Sequence, residues 1–194
     1  MWLDTVNRES NDKLDICWKY FQLDQVNGNS SLELRYWDQC AIDLIGDSRS
    51  LLAAIAGESV RKHQPELFDV FHKTLLEKRH ASTGNRILLN DKSTLIEIAR
   101  DIGIDIDVLG RDLEDCSLIE SISQSHYEAI ETHGVFGTPT FVFENSNSVY
   151  LKTFIPPEED AVQFFNEFSS MMGNRSYIGE LKRPQPPWPR GIAN

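Results

Sequence analysis

Periodicity alone predicts an α/β fold with a helical subdomain, and three observations carry the prediction. An apolar segment near the start (Leu14, Ile16, Trp18, Tyr20) alternates with polar residues as a strand does. From about residue 32 to 132 the apolar spacing is helical almost throughout. A Gly137-Thr138-Pro139 turn then runs straight into the apolar stretch Thr140–Glu144, followed by a second short strand and a last helix.

Taken in order, residues 2–9 read as the end of an amphipathic helix, with Trp2, Leu3 and Val6 on one stripe, and Asn11-Asp12 as a turn. Over 14–23 the apolar residues, ending at Leu23, stand against Asp15, Lys19 and Gln22, so this segment is expected to be a strand. The polar run Asn27-Gly28-Asn29-Ser30-Ser31 breaks the chain there. Leu34, Trp37, Ala41, Leu44 and Ile45 keep helical spacing up to Gly46; Asp47 or Ser48 caps the next helix, which carries Leu51, Leu52, Ile55 and Val60. Pro65 suits a first turn, where its missing N–H costs nothing, and Leu67, Phe68, Phe71, Leu75 and Leu76 line the helix that follows.

Thr94-x-x-Glu97 and Ser117-x-x-Glu120 read as capping boxes. The first opens a helix that ends at Gly103; the second opens one that carries Ile119, Ile122, Tyr127 and Ile130 up to Gly134. Thr140–Glu144 and Val149–Thr153, joined at Asn145-Ser146-Asn147, form an antiparallel hairpin. Pro157 and the acids Glu158, Glu159 and Asp160 start the last helix, with Val162, Phe164, Phe165 and Phe168 on its apolar face and Gly173 at its end. The tail Arg183–Arg190 is polyproline-like; it is expected to pack on its own domain through Trp188, an SH3-type ligand being the alternative.

At 194 residues the chain is one large domain or one domain with an insertion. Hydrophobic residues at 40% and charged residues at 25% are ordinary globular values. A net charge of −11 argues against nucleic acid and against anionic membrane surfaces, both of which need basic patches. No apolar run approaches the roughly 20 residues of a membrane span. Met1-Trp2-Leu3-Asp4 leads into a polar helix rather than a signal peptide, which points to the cytoplasm. Cys17, Cys40 and Cys116 are odd in number and scattered, so no disulfide framework is expected; Cys17 and Cys40 are expected to be buried and unreactive.

No metal site is expected. His126 and His133 lie seven residues apart, about 10 Å along a helix and too far to share an ion. His133 reads as a favourable charge at a helix C-terminus. His63, His72 and His80 lack ligand spacing, and the acidic clusters at 105–115 and 158–160 are helix starts and solvated faces. No phosphate-binding loop and no nucleophile–histidine–acid arrangement is present.

The stretch His133–Glu144 is where chemistry is expected. Proline has no N–H for a ladder and is tolerated at a strand's first residue, at an edge or at a bulge. A cis bond at Thr138-Pro139 resolves the conflict, since cis is inexpensive only before proline. The residues Gly134-Val135-Phe136-Gly137-Thr138-Pro139-Thr140-Phe141-Val142-Phe143 resemble the proline loop of the DsbA-like branch of the thioredoxin superfamily. Trp18–Asn27 resembles that family's second strand and its exit, and Glu180–Pro187 the tail of one bacterial subgroup.

This resemblance implies a thioredoxin-like α/β fold with an all-α insertion: residues 1–30 and 133–194 as the core, and 31–132 as the helical insertion, including the helix that returns to the core. It implies that Phe136, Gly137, Thr138 and Pro139 bind the substrate, a thiol-containing peptide, protein or glutathione, by backbone pairing opposite a redox dithiol. The family places Cys-x-x-Cys at the head of its first helix, where the helix N-terminus stabilises a thiolate. This chain has no Cys-x-x-Cys, so the resemblance implies that the first strand and the dithiol would lie upstream of Met1. A DsbA-like thiol–disulfide oxidoreductase domain, inactive as written, is therefore expected, with no catalytic residue and no cofactor of its own. The alternatives are a glutathione-dependent isomerase or transferase of the kappa-like branch, with glutathione as cofactor, and a non-catalytic peptide-binding module. In the family pattern the first strand lies between 14–23 and 140–144; open edges there imply self-association or marginal stability.

Overall fold

The computed structural model describes residues 2–27, 50–80 and 86–181. The expected helix over 32–46, its neighbour's cap at Asp47 or Ser48, Cys40 and the proline-rich tail from Arg183 lie outside the described residues. Among those described, the helices are α1 (Trp2–Glu9), α2 (Leu23–Asn27), α3 (Leu51–His63), α4 (Phe68–Arg79), α5 (Lys92–Ile102), α6 (Ile106–Asp112), α7 (Ile119–Glu131) and α8 (Ala161–Phe168). The strands are β1 (Thr140–Val142) and β2 (Ser148–Tyr150). No described helix is long and apolar enough to cross a membrane. The chain divides into two compact units, Met1–Trp18 with the chain from Ile130 onward, and Lys19–Ala129.

The helical unit is built around α3. Leu51, Ile55 and Val60 are buried as their spacing requires, and so are Ala53, Ala54, Ala56 and Gly57. α3 packs against α4, α5 and α6, whose apolar faces contribute Phe71, Leu95 and Leu109, each fully buried. Pro65 opens a 3-10 turn, Pro65–Leu67, ahead of α4, and Gly103 ends α5 in the left-handed conformation.

Two helix starts differ from the capping boxes expected. α5 begins at Lys92 with Asp91 as its cap, accepting from the N–H of Ser93 at 3.1 Å and from the hydroxyl of Thr94 at 2.5 Å. Asp115 likewise accepts from the N–H of Ser117 at 3.0 Å, ahead of a 3-10 turn Cys116–Leu118 that leads into α7. In each case an aspartate lies two or three residues before the Ser or Thr. Its carboxylate is the stronger acceptor, so the helical path starts earlier.

The expected strand over 14–23 does not form. Burial alternates as a strand's would: Leu14, Ile16, Trp18 and Tyr20 are half-buried, while Asp15, Cys17 and Lys19 are exposed. Yet the only described sheet has two strands, β1 and β2. Backbone groups of Leu14, Tyr20 and Gln22 go to side chains instead. Leu14 donates its N–H to Asn7 Oδ1 at 2.7 Å. In the helical unit, Ser125 Oγ accepts from the N–H of Tyr20 at 3.1 Å and donates to its carbonyl at 2.9 Å. These bonds tie Tyr20 to α7, within the unit Lys19–Ala129. Cys17 is correspondingly exposed, against the expectation of a buried thiol, because it shares the outward phase of Asp15 and Lys19.

The other unit has an aromatic core. Trp2 of α1 lies 5.1 Å from Phe164 and 5.9 Å from Phe165 of α8, and 6.3 Å from Phe141 of β1. Phe168, buried, meets Phe141 at 5.1 Å and Phe143 at 5.8 Å. One face of the hairpin therefore packs on helices. An exposed ion pair between Arg8 and Glu158 joins α1 to the turn before α8; such pairs contribute little. After Phe168 the chain continues as a π-helical turn, Ser169–Gly173.

Candidate proline-loop site

α7 ends at Glu131, and a turn carries the chain to Gly134. Gly134 adopts φ 63°, a conformation that suits glycine, and its N–H closes on the carbonyl of Ile130 at 3.1 Å. His133, half-buried beside it, has an Nδ1 atom with no hydrogen-bond partner among the described residues. Only two residues, Val135 and Phe136, then separate Gly134 from the proline turn, so the loop is short and its course is confined at both ends.

The Thr138–Pro139 peptide bond is cis. Around it, Thr140 Oγ1 donates to the carbonyl of Gly137 at 2.7 Å, and the carbonyl of Pro139 accepts from the N–H of Leu151 at 3.2 Å. These two bonds fix the loop to the start of the hairpin. Thr138 and Pro139 are exposed, Gly137 is buried and Phe136 is 67% exposed. Neither the N–H nor the carbonyl of Thr138 is hydrogen-bonded among the described residues. The four residues expected to form the site thus lie together, with one backbone donor and one acceptor open to a ligand.

Tyr150 is the residue that the sequence reading missed. Its ring lies against Gly137, where a Cβ would sit only 3.1 Å from Tyr150 Cε2, and the ring of Phe136 rests on it at 5.1 Å. Glycine at 137 lets the loop close onto this ring. The signal was present in the hairpin: a turn centred on Asn145-Ser146-Asn147 places Tyr150 opposite Thr140, beside the loop. Residues 134–143 themselves include no charged side chain.

The remaining candidates do not assemble into chemistry. Among the described residues, no three of His, Cys, Asp and Glu are grouped to hold a metal ion. His126 is buried in the helical unit with its Nδ1 on the N–H of Gln22. His63 pairs with Asp112 at 3.1 Å, and Asp112 also accepts from Ser59 Oγ at 2.7 Å. That order, serine to acid to histidine, puts no base on the hydroxyl.

The model of the DSBA-like thioredoxin domain family matches residues 4–167. No curated protein matches the chain. The family accounts for the mixed architecture, an α/β thioredoxin-like fold with a helical insertion. The match takes in the proline loop, the helical unit and most of the aromatic core, and the chain belongs to the family of DSBA-like thioredoxin domains.

Proposed function

We propose that this chain carries the substrate-holding part of a thiol–disulfide oxidoreductase-type domain, and that it holds an extended, thiol-containing peptide or protein segment at Thr138. The observation that carries the reading is the exposed Thr138 backbone, unpaired among the described residues and set beside a cis-proline in a chain of this family. An extended chain passing the loop can donate to the Thr138 carbonyl and accept from its N–H, a short piece of β-pairing. Thiol–disulfide exchange itself needs a thiolate that attacks one sulfur of a disulfide and expels the other as a thiolate. Cys17, Cys40 and Cys116 have no Cys-x-x-Cys spacing, so this chain supplies positioning and not the attacking sulfur. A cytoplasmic site of action, supported by the odd, scattered cysteines, is part of the same proposal.

The test is an amide NMR titration of the ¹⁵N-labelled chain with an unstructured cysteine-containing peptide, run beside an insulin-reduction assay. The expected result is shifts centred on Gly137, Thr138 and Thr140, with no insulin reduction. Shifts elsewhere would overturn the assignment of the loop. Insulin reduction abolished by Cys17→Ser, Cys40→Ser or Cys116→Ser would overturn the statement that no thiol of this chain attacks. Glutathione alone producing the same shifts, with the peptide producing none, would favour the glutathione-dependent alternative.

A further inference from the structure

The helical unit carries a concentration of positive charge in an acidic chain. From Lys78 to Asn90 the sequence holds Lys78, Arg79, His80 and Arg86 and no Asp or Glu, although the whole chain has 30 acidic residues against 19 Lys and Arg. Folding brings these side chains together from two segments. The N–H of Ile87 reaches the carbonyl of Lys78 at 3.5 Å, and Arg79 Nη1 donates to the carbonyl of Ile87 at 3.4 Å. Arg86 therefore lies beside the end of α4. Lys78, His80 and Arg86 are exposed, and Arg79 is half-buried.

Local structure explains only part of this cluster. Lys78 and Arg79 stand in the last turn of α4, where the helix dipole favours cations, and His80 caps that turn with its N–H on the carbonyl of Leu76 at 3.0 Å. Arg86 belongs to no helix, and its approach adds like charge to a place that already holds two cations. The repulsion registers at His80. Partial burial, and then the charges of Arg79 and Arg86, hold its imidazole below the ordinary histidine value. Cations that join elements in other parts of this unit stand against carboxylates instead, Lys19 against Glu128 at 3.5 Å and Lys92 against Glu114 at 2.5 Å. Here Glu77, the acid nearest along α4, faces Lys73 at 3.9 Å. Among the described residues neither Lys78 nor Arg79 has a carboxylate partner.

Like charges gathered on a surface repel one another, and an anion set among them relieves the repulsion. The donors define which anion. Arg79 keeps most of its fork beyond the bond to Ile87, and Arg86 brings another. One carboxylate, with a single charge and two oxygens, is satisfied by one guanidinium. Two forks, an ammonium and an imidazole match a compact dianion with more oxygens, as a phosphate group is. An extended polyanion would bring many of its charges against a chain of net charge −11, whereas a compact dianion feels mainly the charges within about 8 Å of it.

We propose that Lys78, Arg79, His80 and Arg86 form a binding site on the helical unit for the phosphate group of a small soluble molecule. The two guanidinium groups hold the oxygens, Lys78 adds charge, and His80 lies where the bound anion changes its titration. This site stands independently of the reading of the proline loop.

The experiment follows the histidine rings and arginine side chains of the ¹⁵N-labelled chain by NMR while sodium sulfate, sodium phosphate or sodium chloride is added at matched ionic strength. Sulfate stays a dianion throughout, so its effect is free of its own titration. Sulfate and phosphate are expected to shift the His80 ring and the Arg86 Nε–H saturably, and to raise the pH at which His80 titrates, because the anion offsets its cationic neighbours. Arg86→Gln and Arg79→Gln are each expected to weaken sulfate binding about tenfold, the loss of a hydrogen bond to a charged group. Arg86→Lys keeps the charge but not the fork and is expected to recover only part. Arg86 is exposed, so its variants are expected to keep the fold, as read by circular dichroism. Chloride producing the same shifts overturns the proposal, since screening alone then accounts for them. Sulfate binding unchanged in both glutamine variants overturns it too, as do saturable shifts that leave His80 and Arg86 unmoved. Vesicles containing a phosphorylated phosphatidylinositol, or an oligonucleotide, binding more tightly per phosphate than inorganic phosphate would overturn the assignment to a small molecule.

Discussion

The Nδ1 atom of His126 accepts the backbone N–H of Gln22 at 3.2 Å, with both residues buried and the imidazole stacked on Phe21 at 4.8 Å. A nitrogen that accepts a hydrogen bond cannot also carry a proton. The same burial holds His126 below the ordinary histidine value of 6.5. Together with the two bonds of Ser125 to Tyr20, this contact closes the segment 20–22 onto α7 without any strand ladder.

Acid is expected to loosen the helical unit through this contact. Burial lowers His126, His72 and His80 alike; Arg61 adds to the effect at His72, against Asp69, and Arg79 and Arg86 add to it at His80. The unfolded chain takes up these protons at about pH 6.5, whereas the folded chain resists them. Stability is thus complete above that value and declines as the pH falls toward the folded-state values. Urea midpoints at pH 7.5, 6.0 and 5.0 measure the decline. His126→Phe preserves the stack but leaves the Gln22 N–H without an acceptor. It should cost about 1–3 kcal/mol at pH 7.5 and flatten the slope below pH 6.5. A variant with an undiminished slope would show that His126 is not a source of it.

Gly57 leaves room for the Tyr20 hydroxyl in the wall of α3. A Cβ at 57 would fall 1.7 Å from that oxygen and 2.9 Å from Cζ, while Arg61 covers the same ring at 5.4 Å. Burial keeps the hydroxyl protonated, its pKa raised well above the ordinary tyrosine value, with Arg61 opposing and Glu58 adding. Gly57→Ala should destabilise by about 1–3 kcal/mol through overpacking. Combining it with Tyr20→Phe should recover part of that loss, since the nearer clash goes and the ring contact remains. Strict additivity in the double-mutant cycle would contradict the contact.

The hairpin turn is docked through one carbonyl. Gly173 accepts from Asn145 Nδ2 at 2.8 Å and from Asn147 Nδ2 at 2.7 Å, and a Cβ at 173 would lie 2.9 Å from Phe143 Cε1. Either asparagine replaced by alanine should cost about 1 kcal/mol, and the pair more than the sum, because the buried carbonyl then has no donor. Gly173→Ala should cost about 1–3 kcal/mol by displacing the Phe143 ring. Thermal melts of the four variants measure both effects.

Asp91, not Thr94, should prove to be the cap of α5. Asp91→Ala is expected to cost about 1 kcal/mol and Thr94→Ala only a few tenths, as read by chemical denaturation. The hydrogen bonds from Thr94 and Ser93 hold the Asp91 carboxyl below its ordinary range. Its contribution is therefore present at neutral pH and disappears as the pH falls through that lowered value.

The sequence by itself determined the local elements, because helical and strand periodicity, glycine stops and proline turns act within a few residues. It determined α1, α3, α4, α5, α7 and α8 nearly in place, together with the hairpin and the glycine turn at Gly134, while α6 was not legible as a helix. Only the tertiary structure decided what the alternation over 14–20 was for. Alternation reports which side chains are buried, and a strand additionally needs a neighbour to receive its backbone. Tyr20 and Gln22 found Ser125 and His126 instead, more than a hundred positions along the chain. Tyr150 came to the proline loop more locally, through the register of a hairpin that pairs it with Thr140. No window of a dozen residues contains the contacts of Tyr20 and Gln22, which depend on which distant surface the folded chain presents.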